Sequence, residues 1–298
     1  MAGIYRNPDK SAGVVSLCYK HTMNFIWKFQ NTFYLVEQIA HMVEFKSAND
    51  FRLRGGKYFM PCISIDCVIF GFHDGQLKVL LLTIANFGGY GLPAGFIYKE
   101  EHIDTSAKRI LCERTGLQDI FLQQFYIFGD PHRCDENITK TVFEKEQIKA
   151  PQNNWLLQRF LTIGYYALVD FEKVNATPDY FSESCEWHDI NHLPPLAMDH
   201  NDIIQKALFT LRTHLRYEPV GYNLLPSKFT MPELQSLYET ILGQKLDRRN
   251  FQRKMLSYGI LKRLKEQRKG VAHKAPYLYS FDLRKYHKAL EEGFQSAW

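Results

Sequence analysis

The chain of 298 residues is 45% hydrophobic and 14% aromatic with a net charge of +5, enough apolar material for a sizeable core and two domains, which excludes a disordered chain. No run of about 18 uncharged apolar residues exists and the scattered cysteines form no C-x2-C pair, so a membrane span, a zinc cage and a disulfide framework are disfavoured and a reducing, cytoplasmic setting is expected. Residues 218–298 carry 15 Lys+Arg against 8 Asp+Glu, whereas residues 1–217 carry 22 against 24; a basic C-terminal module is therefore expected to meet an anionic polymer, with a merely soluble basic surface as the plainer alternative.

Residues 1–56 are expected to form an N-terminal extension of unreadable role. Phe25, Phe29, Phe33 and Val36 stand at helical spacing, so a short amphipathic helix that docks a partner protein is one reading. Met23 and Met42 could each begin a shorter protein, which leaves the leader open to being dispensable. Met23 to Val43 lacks a small-residue cleavage pattern, and a signal peptide is disfavoured. From Ile63 the pattern sharpens. Ile63 to Phe70 and Leu77 to Thr83 are apolar, strand-like runs with an Asp74-Gly75 turn signal between them, and they predict a hairpin. A glycine-bearing loop, Asn86 to Gly91, leads to Leu92-Pro93-Ala94-Gly95, and a helix capped by Asp104 or Thr105 is predicted to run to Thr115, ended by Gly116. Strand-like runs follow at Phe121 to Phe128 and Phe160 to Val169, separated by a polar loop, Asn137 to Asn154, of the kind that borders ligand clefts. Cys185 to Ile190 reads as a further strand. Asp202 to Leu215 is predicted helical, with Ile203, Ile204, Ala207, Leu208 and Leu211 on one face.

Within this order, Gly95 to Leu117 carries a spacing of Gly95, five residues, Glu101, seven residues, Arg109, then Leu111, Glu113, Gly116 and Leu117. It resembles the Nudix box, G-x5-E-x7-R-E-U-x-E-E-x-G-U, of the hydrolases that cleave nucleoside diphosphates linked to another moiety. The resemblance covers residues 57–216 and implies an α/β/α sandwich with a mixed sheet. Two positions depart from it: Ile110 and Arg114 stand where the family has glutamates. Residues 110, 113 and 114 share a helix face, and Mg2+ needs hard oxygen ligands in octahedral array. That face offers one carboxylate, Glu113, between an apolar and a cationic neighbour, so no metal, no cofactor and no catalytic residue is expected. Glu101 and Arg109 are explained by holding the loop and helix together. Arg114 and Glu113 are the candidate ligand-binding residues, Arg114 replacing the charge of the absent metal; a solvated or ion-paired surface arginine is the bland alternative. A hydrolase using Glu100, Glu101 and Glu113 remains the competing class.

Beyond an irregular linker at Tyr217 to Pro226, Thr230-Met231-Pro232-Glu233 is a capping box with proline in the first turn. Its helix places Leu234, Leu237, Tyr238, Ile241 and Leu242 on one face and ends at Gly243. Asp247 can cap a second helix, Arg248 to Tyr258, with Gly259 closing it, and the pair reads as a helix-turn-helix. At about 100° per residue, Phe251, Met255 and Tyr258 fall on one side and Arg249, Asn250, Arg253 and Lys254 on the other. A polar arc of that kind can grip phosphates and read base edges. Ile260 to Leu264 and Tyr277 to Phe281 predict a hairpin with a basic tip from Lys265 to Lys274, which makes a wing. The candidate DNA-binding residues are Lys245, Arg248, Arg249, Asn250, Arg253, Lys254, Arg268, Lys269 and Lys274.

The expected fold is therefore α+β: a Nudix-like sandwich over 57–216 and a winged helix-turn-helix over 217–298. That combination resembles the Nudix-related transcriptional regulators of the NrtR group. Glu218 to Pro226, Lys228-Phe229-Thr230 and Asp247 to Phe251 are similar to its arabinose-responsive branch. The resemblance implies a homodimeric regulator on a palindromic double-stranded operator, with a small-molecule effector that is a pentose or an ADP-ribose-like nucleotide.

Overall fold

The computed structural model describes residues 45–84, 89–117, 121–133, 140, 143–145, 147–149, 151–176, 182–217, 219, 222–268 and 275–292. The helix expected around Phe25 to Val36, much of the 137–154 loop, and Lys269 and Lys274 lie outside these residues. Among the described residues no helix is long and apolar enough to cross a membrane.

A mixed seven-stranded sheet is built around β1 (Phe59–His73). It turns at Asp74-Gly75 into the antiparallel β2 (Gln76–Ile84), in the register Phe70 with Val79 and His73 with Gln76. On its other side β1 runs parallel to β6 (Leu161–Val169), and β6 pairs antiparallel with β5 (Phe121–Phe128). Short strands β3 (Gly89–Gly91) and β4 (Ala94–Tyr98) pair with β2 and β1, and β7 (Ser182–Asp189) pairs with β2. The predicted hairpin is present, and its strands run past the predicted ends because pairing partners continue there.

Alternation along β1 sorts the core into two layers, since successive strand residues point to opposite faces. Ile65, Cys67 and Ile69 join Ile163, Tyr165 and Ala167 of β6 beneath Ala107, Ile110 and Leu111 of α2 (Ile103–Thr115). Val68 and Phe70 join Val79, Leu81, Tyr166 and Leu168 beneath α3 (His200–Tyr217), which buries Ile203, Ile204, Ala207, Leu208, Leu211 and Leu215. The sheet is thus sandwiched between two helices. Helix α2 starts two or three residues earlier than predicted and takes His102, not Asp104 or Thr105, as its cap, the ring Nδ1 accepting from the Asp104 amide at 3.3 Å. Asp104 lies in the first turn, exposed, and its carboxylate accepts from the Tyr165 hydroxyl at 2.8 Å.

Helix α1 (Ala48–Arg54), within the stretch read as extension, packs on the sandwich. Phe51 is buried, its ring 5.5 Å from those of Phe59 and Trp155, and both Trp155 Nε1 and Asn154 Nδ2 donate to the Arg52 carbonyl at 3.0 Å.

The C-terminal part is a winged helix: β8 (Phe229–Thr230), α4 (Met231–Leu242), α5 (Arg248–Ser257), β9 (Leu261–Gln267), β10 (Tyr277–Phe281) and α6 (Leu283–Glu292), with β10 central in a three-stranded sheet. The capping box forms: the Glu233 amide donates to Thr230 Oγ1 at 3.3 Å and the Thr230 amide to Glu233 Oε2 at 2.7 Å. Lys265, Glu266 and Gln267, expected in the wing tip, extend β9, where Gln267 pairs with Tyr277. The apolar core does not stop at the end of α3. Leu224, Leu225, Leu234, Leu237, Tyr238, Ile241, Phe251 and Met255 belong to the layer beneath that helix.

Because Leu211 is wholly buried in this shared layer, Leu211→Ala is expected to cost about 2–5 kcal/mol, read by urea or thermal denaturation. Gln205→Ala on the exposed face of the same helix is expected to stay within about 0.5 kcal/mol.

Candidate functional site

Gly95 in β4 lies so close to α2 that a Cβ there would meet Ile110 Cγ1 at 2.6 Å and Cδ1 at 2.7 Å. Ile110 is fully buried in the contact. A glutamate at 110 would bring a carboxylate into this apolar layer. Glu101 and Arg109 form the staple of the box. Arg109 Nε and Nη2 donate to the two Glu101 oxygens at 2.9 and 2.8 Å, and Nη2 also reaches the Phe96 carbonyl at 2.8 Å. Ser106 Oγ donates to Glu101 at 2.5 Å, and the Arg109 guanidinium lies 4.7 Å from the Tyr98 ring centroid. Paired and hydrogen-bonded charges of this kind meet the condition for burial.

Glu113, a candidate ligand residue, accepts from Arg109 Nη1 at 3.2 Å. Arg114, the other candidate, is half-buried in the last turn of α2. Its charge reaches the Cys67 thiol in β1, opposing the effects of burial and of Asp66, which push that thiol up to about 12. Two of the three Nudix-box carboxylate positions on this helix face are thus apolar or cationic, and the third is engaged by Arg109. The residues do not fit an octahedral magnesium site.

A second polar constellation lies on the α3 face. Asp66 is an isolated carboxylate in the apolar run of β1, and it is buried with Arg133 and His200. Arg133 donates to Asp199 from Nε at 2.9 Å and Nη2 at 3.0 Å, to Asp66 at 3.3 Å and to the Phe160 carbonyl at 3.4 Å. His200 Nδ1 accepts the Leu92 amide at 3.1 Å, and its pKa is lowered, chiefly by burial, so the ring is the neutral tautomer with its proton on Nε2. These four residues tie β1, the segment after β5 and the start of α3 together. No local pattern brings these four together, although the lone aspartate between Ile65 and Cys67 is a visible signal of a buried polar site.

On the reading head, Phe251 and Met255 are buried and Tyr258 is half-buried, while Arg248, Arg249, Asn250, Arg253 and Lys254 are exposed, as the periodicity requires. Asp247 caps α5 by accepting the Asn250 amide at 2.8 Å. Arg253 Nη2 donates to Asn250 Oδ1 at 3.0 Å, so these two side chains present one hydrogen-bonded donor surface. Lys254, Lys245 and Arg268 each have a partner within the chain. Lys254 Nζ donates to the Arg216 carbonyl at 3.2 Å, at the C-terminal end of α3. Lys245 pairs with Glu239 at 2.9 Å, and Arg268 pairs with Glu233. In the wing Lys262 pairs with Asp282 at 3.1 Å and the Arg263 guanidinium stacks 3.6 Å from the Tyr277 ring centroid.

Three contacts fasten this head to the sandwich. Arg212 of α3 donates through Nε to the Ile241 carbonyl in the last turn of α4 at 2.7 Å, Lys254 of α5 meets the end of α3, and Thr240 Oγ1 donates to the Gly75 carbonyl at 3.1 Å. Two of the three place a cation at a helix C-terminus, where the macrodipole favours it. Glu239 holds the turn between α4 and α5, accepting from the Leu246 amide and Gln235 Nε2, each at 2.9 Å.

Comparison with known proteins matches these features. The family described as the NrtR DNA-binding winged helix domain matches residues 221–281. The ADPR responsive transcriptional repressor NtrR of Acinetobacter baylyi is 30% identical over 237 residues, which span 77% of this chain and 85% of that protein. The crystal structure of Shewanella oneidensis NrtR complexed with a 27mer DNA superposes with a TM-score of 0.60 at 25% identity, over 76% of this chain and 96% of that one. A MutT/nudix family protein from Enterococcus faecalis shares the fold, with a TM-score of 0.54 at 21% identity over 84% and 93% of the two chains.

The Leu246 amide, Gln235 and Lys245 hold the Glu239 carboxyl down at about 2, against 4.5 ordinarily. A depressed carboxylate pKa contributes stability that is present above the unfolded value and is lost as pH falls toward the folded one. Glu239→Gln is therefore expected to lower the melting temperature at neutral pH and to flatten its fall between about pH 4.5 and pH 2, as followed by circular dichroism.

Proposed function

The chain belongs to the NrtR family of regulators that join a Nudix-type domain to a winged helix, and from that premise we propose an ADP-ribose-responsive transcriptional repressor that binds a palindromic operator as a homodimer. The observation that carries the reading is the exposed arc of Arg248, Arg249, Asn250 and Arg253 on a helix capped by Asp247 and packed through Phe251 and Met255. The arc supplies guanidinium forks for guanine edges and phosphates and an amide for adenine. The A. baylyi repressor, alike over most of both chains, is ADPR responsive. The pentose reading, which rested on three short strings near the linker and the recognition helix, has no support in that relative.

For the effector, Arg114 is the proposed phosphate-facing cation, with Glu113 positioned beside it through Arg109. A diphosphate meets an arginine favourably where a magnesium ion would be repelled. The sandwich is proposed to bind without hydrolysis. Ile110 cannot ligate a metal, Glu101 is spent on Arg109 and Ser106 and Glu113 on Arg109, and Glu100 alone is too few oxygens for magnesium.

Gel shifts with DNA upstream of its own operon test the reading. A specific complex is expected whose affinity changes on adding ADP-ribose and not on adding arabinose. Absence of any complex, or a response to the sugar alone, refutes it. Arg249→Ala and Arg253→Ala are each expected to weaken operator binding by about 1–3 kcal/mol with an unchanged melting temperature, and equal affinity in both would move base readout elsewhere. Incubation with ADP-ribose and Mg2+ is expected to release no AMP above background; enzymatic turnover would establish the hydrolase instead.

A further inference from the structure

The exposed side of α5 is not wholly polar. Leu256 is 43% exposed, whereas the other large hydrophobics of the helix, Phe251 and Met255, are 7% and 1% exposed. Among the described residues Leu256 packs with neither core layer. At about 100° per residue, the arc of Arg248, Arg249, Arg253 and Asn250 spans about 200°, and Leu256 stands within about 20° of its middle. Lys254, which meets the Arg216 carbonyl at the end of α3, lies about 160° round the helix from Leu256. The contact with the sandwich therefore leaves this leucine on the far side. Along the axis, at about 1.5 Å per residue, Leu256 lies about 4.5 Å beyond Arg253, close to the spacing of one base pair. Helix propensity does not account for a leucine here, because lysine, arginine and glutamine serve an exposed helical position about as well.

We propose that Leu256 reads the C5 methyl group of a thymine in the operator, about one base pair from the contact of Arg253. The inference rests on the reading of α5 as the helix that enters the major groove. There the base pairs present hydrogen-bonding edges, and the thymine methyl is the apolar group among them. A leucine set against a phosphate or a guanine edge would displace water from polar atoms and return no hydrogen bond. Against a methyl group it removes two apolar surfaces from water at once. Arginine forks select guanine, and the Asn250 amide suits adenine. Leu256 adds a preference for thymine that those side chains do not supply.

Fluorescence anisotropy with the DNA that the protein protects upstream of its own operon tests the proposal, with deoxyuridine replacing each thymine in turn. The replacement removes the methyl group and leaves the pairing edge intact. At the thymine that Leu256 reads, the wild type is expected to lose affinity about fourfold per methyl group, the worth of one buried carbon. Leu256→Ala is expected to bind the thymine operator several-fold more weakly, with an unchanged melting temperature and an unchanged salt dependence, since no phosphate contact is lost. In this variant deoxyuridine at that thymine is expected to make no further difference. A variant that binds as tightly as the wild type, or that responds to deoxyuridine as fully, overturns the proposal. So does a wild type indifferent to every thymine methyl, an outcome that depends on no variant folding. Specific binding without a methyl effect refutes this inference alone, whereas absence of any specific complex refutes the regulator reading with it.

Discussion

Helix α3 buries one continuous apolar face, and that face is shared. Its Ile203, Ile204, Ala207, Leu208, Leu211 and Leu215 cover the sheet layer of Val68, Phe70, Val79 and Leu81, and the same layer continues into Leu234, Leu237, Ile241 and Phe251 of the reading head. The two halves therefore do not hang from a flexible linker. Burying one large apolar side chain is worth about 1.5–3 kcal/mol, so several on one helix make separation of the halves costly. The start of the helix is fixed by Arg133 between Asp66 and Asp199. Its end is fixed by Arg212 and Lys254, each at a helix C-terminus.

The degenerate box follows from the same logic of what a residue touches. Glu101 and Arg109 are held by each other, by Ser106 and by the Phe96 carbonyl. Removing either would leave a buried charge uncompensated, which is strongly destabilising. Ile110 completes the apolar layer against Gly95. The box has the residues that hold the loop on the helix and lacks two of those that hold magnesium. Its spacing remained legible because each fold-supporting residue has a distinct partner in the structure.

Much of the reading head was legible because its signals are local. The Thr230 capping box, the Asp247 cap and the division of α5 into a buried Phe251 and Met255 side and an exposed arginine side all depend on spacings within one or two turns. The second roles of Lys245, Lys254 and Arg268 were not legible. Their partners Glu239, Arg216 and Glu233 lie between 6 and 38 residues away, and no periodicity relates them. The wing strand ran longer than its apolar pattern because Gln267 finds Tyr277 across the hairpin. Lys269 and Lys274 lie outside the described residues.

The sequence by itself determined the order of elements, the helix-turn-helix with its wing and the loss of the metal-binding pattern, because periodicity, caps and motif spacing act over short stretches of chain, whereas the sandwich over a mixed sheet followed from the resemblance of the box to the Nudix family. Only the tertiary structure decided that α3 belongs to both halves and that Asp66, Arg133, Asp199 and His200 converge. Those facts depend on which distant residues meet. Such contacts follow from the closing of the whole sheet and its helices, and no local stretch encodes them.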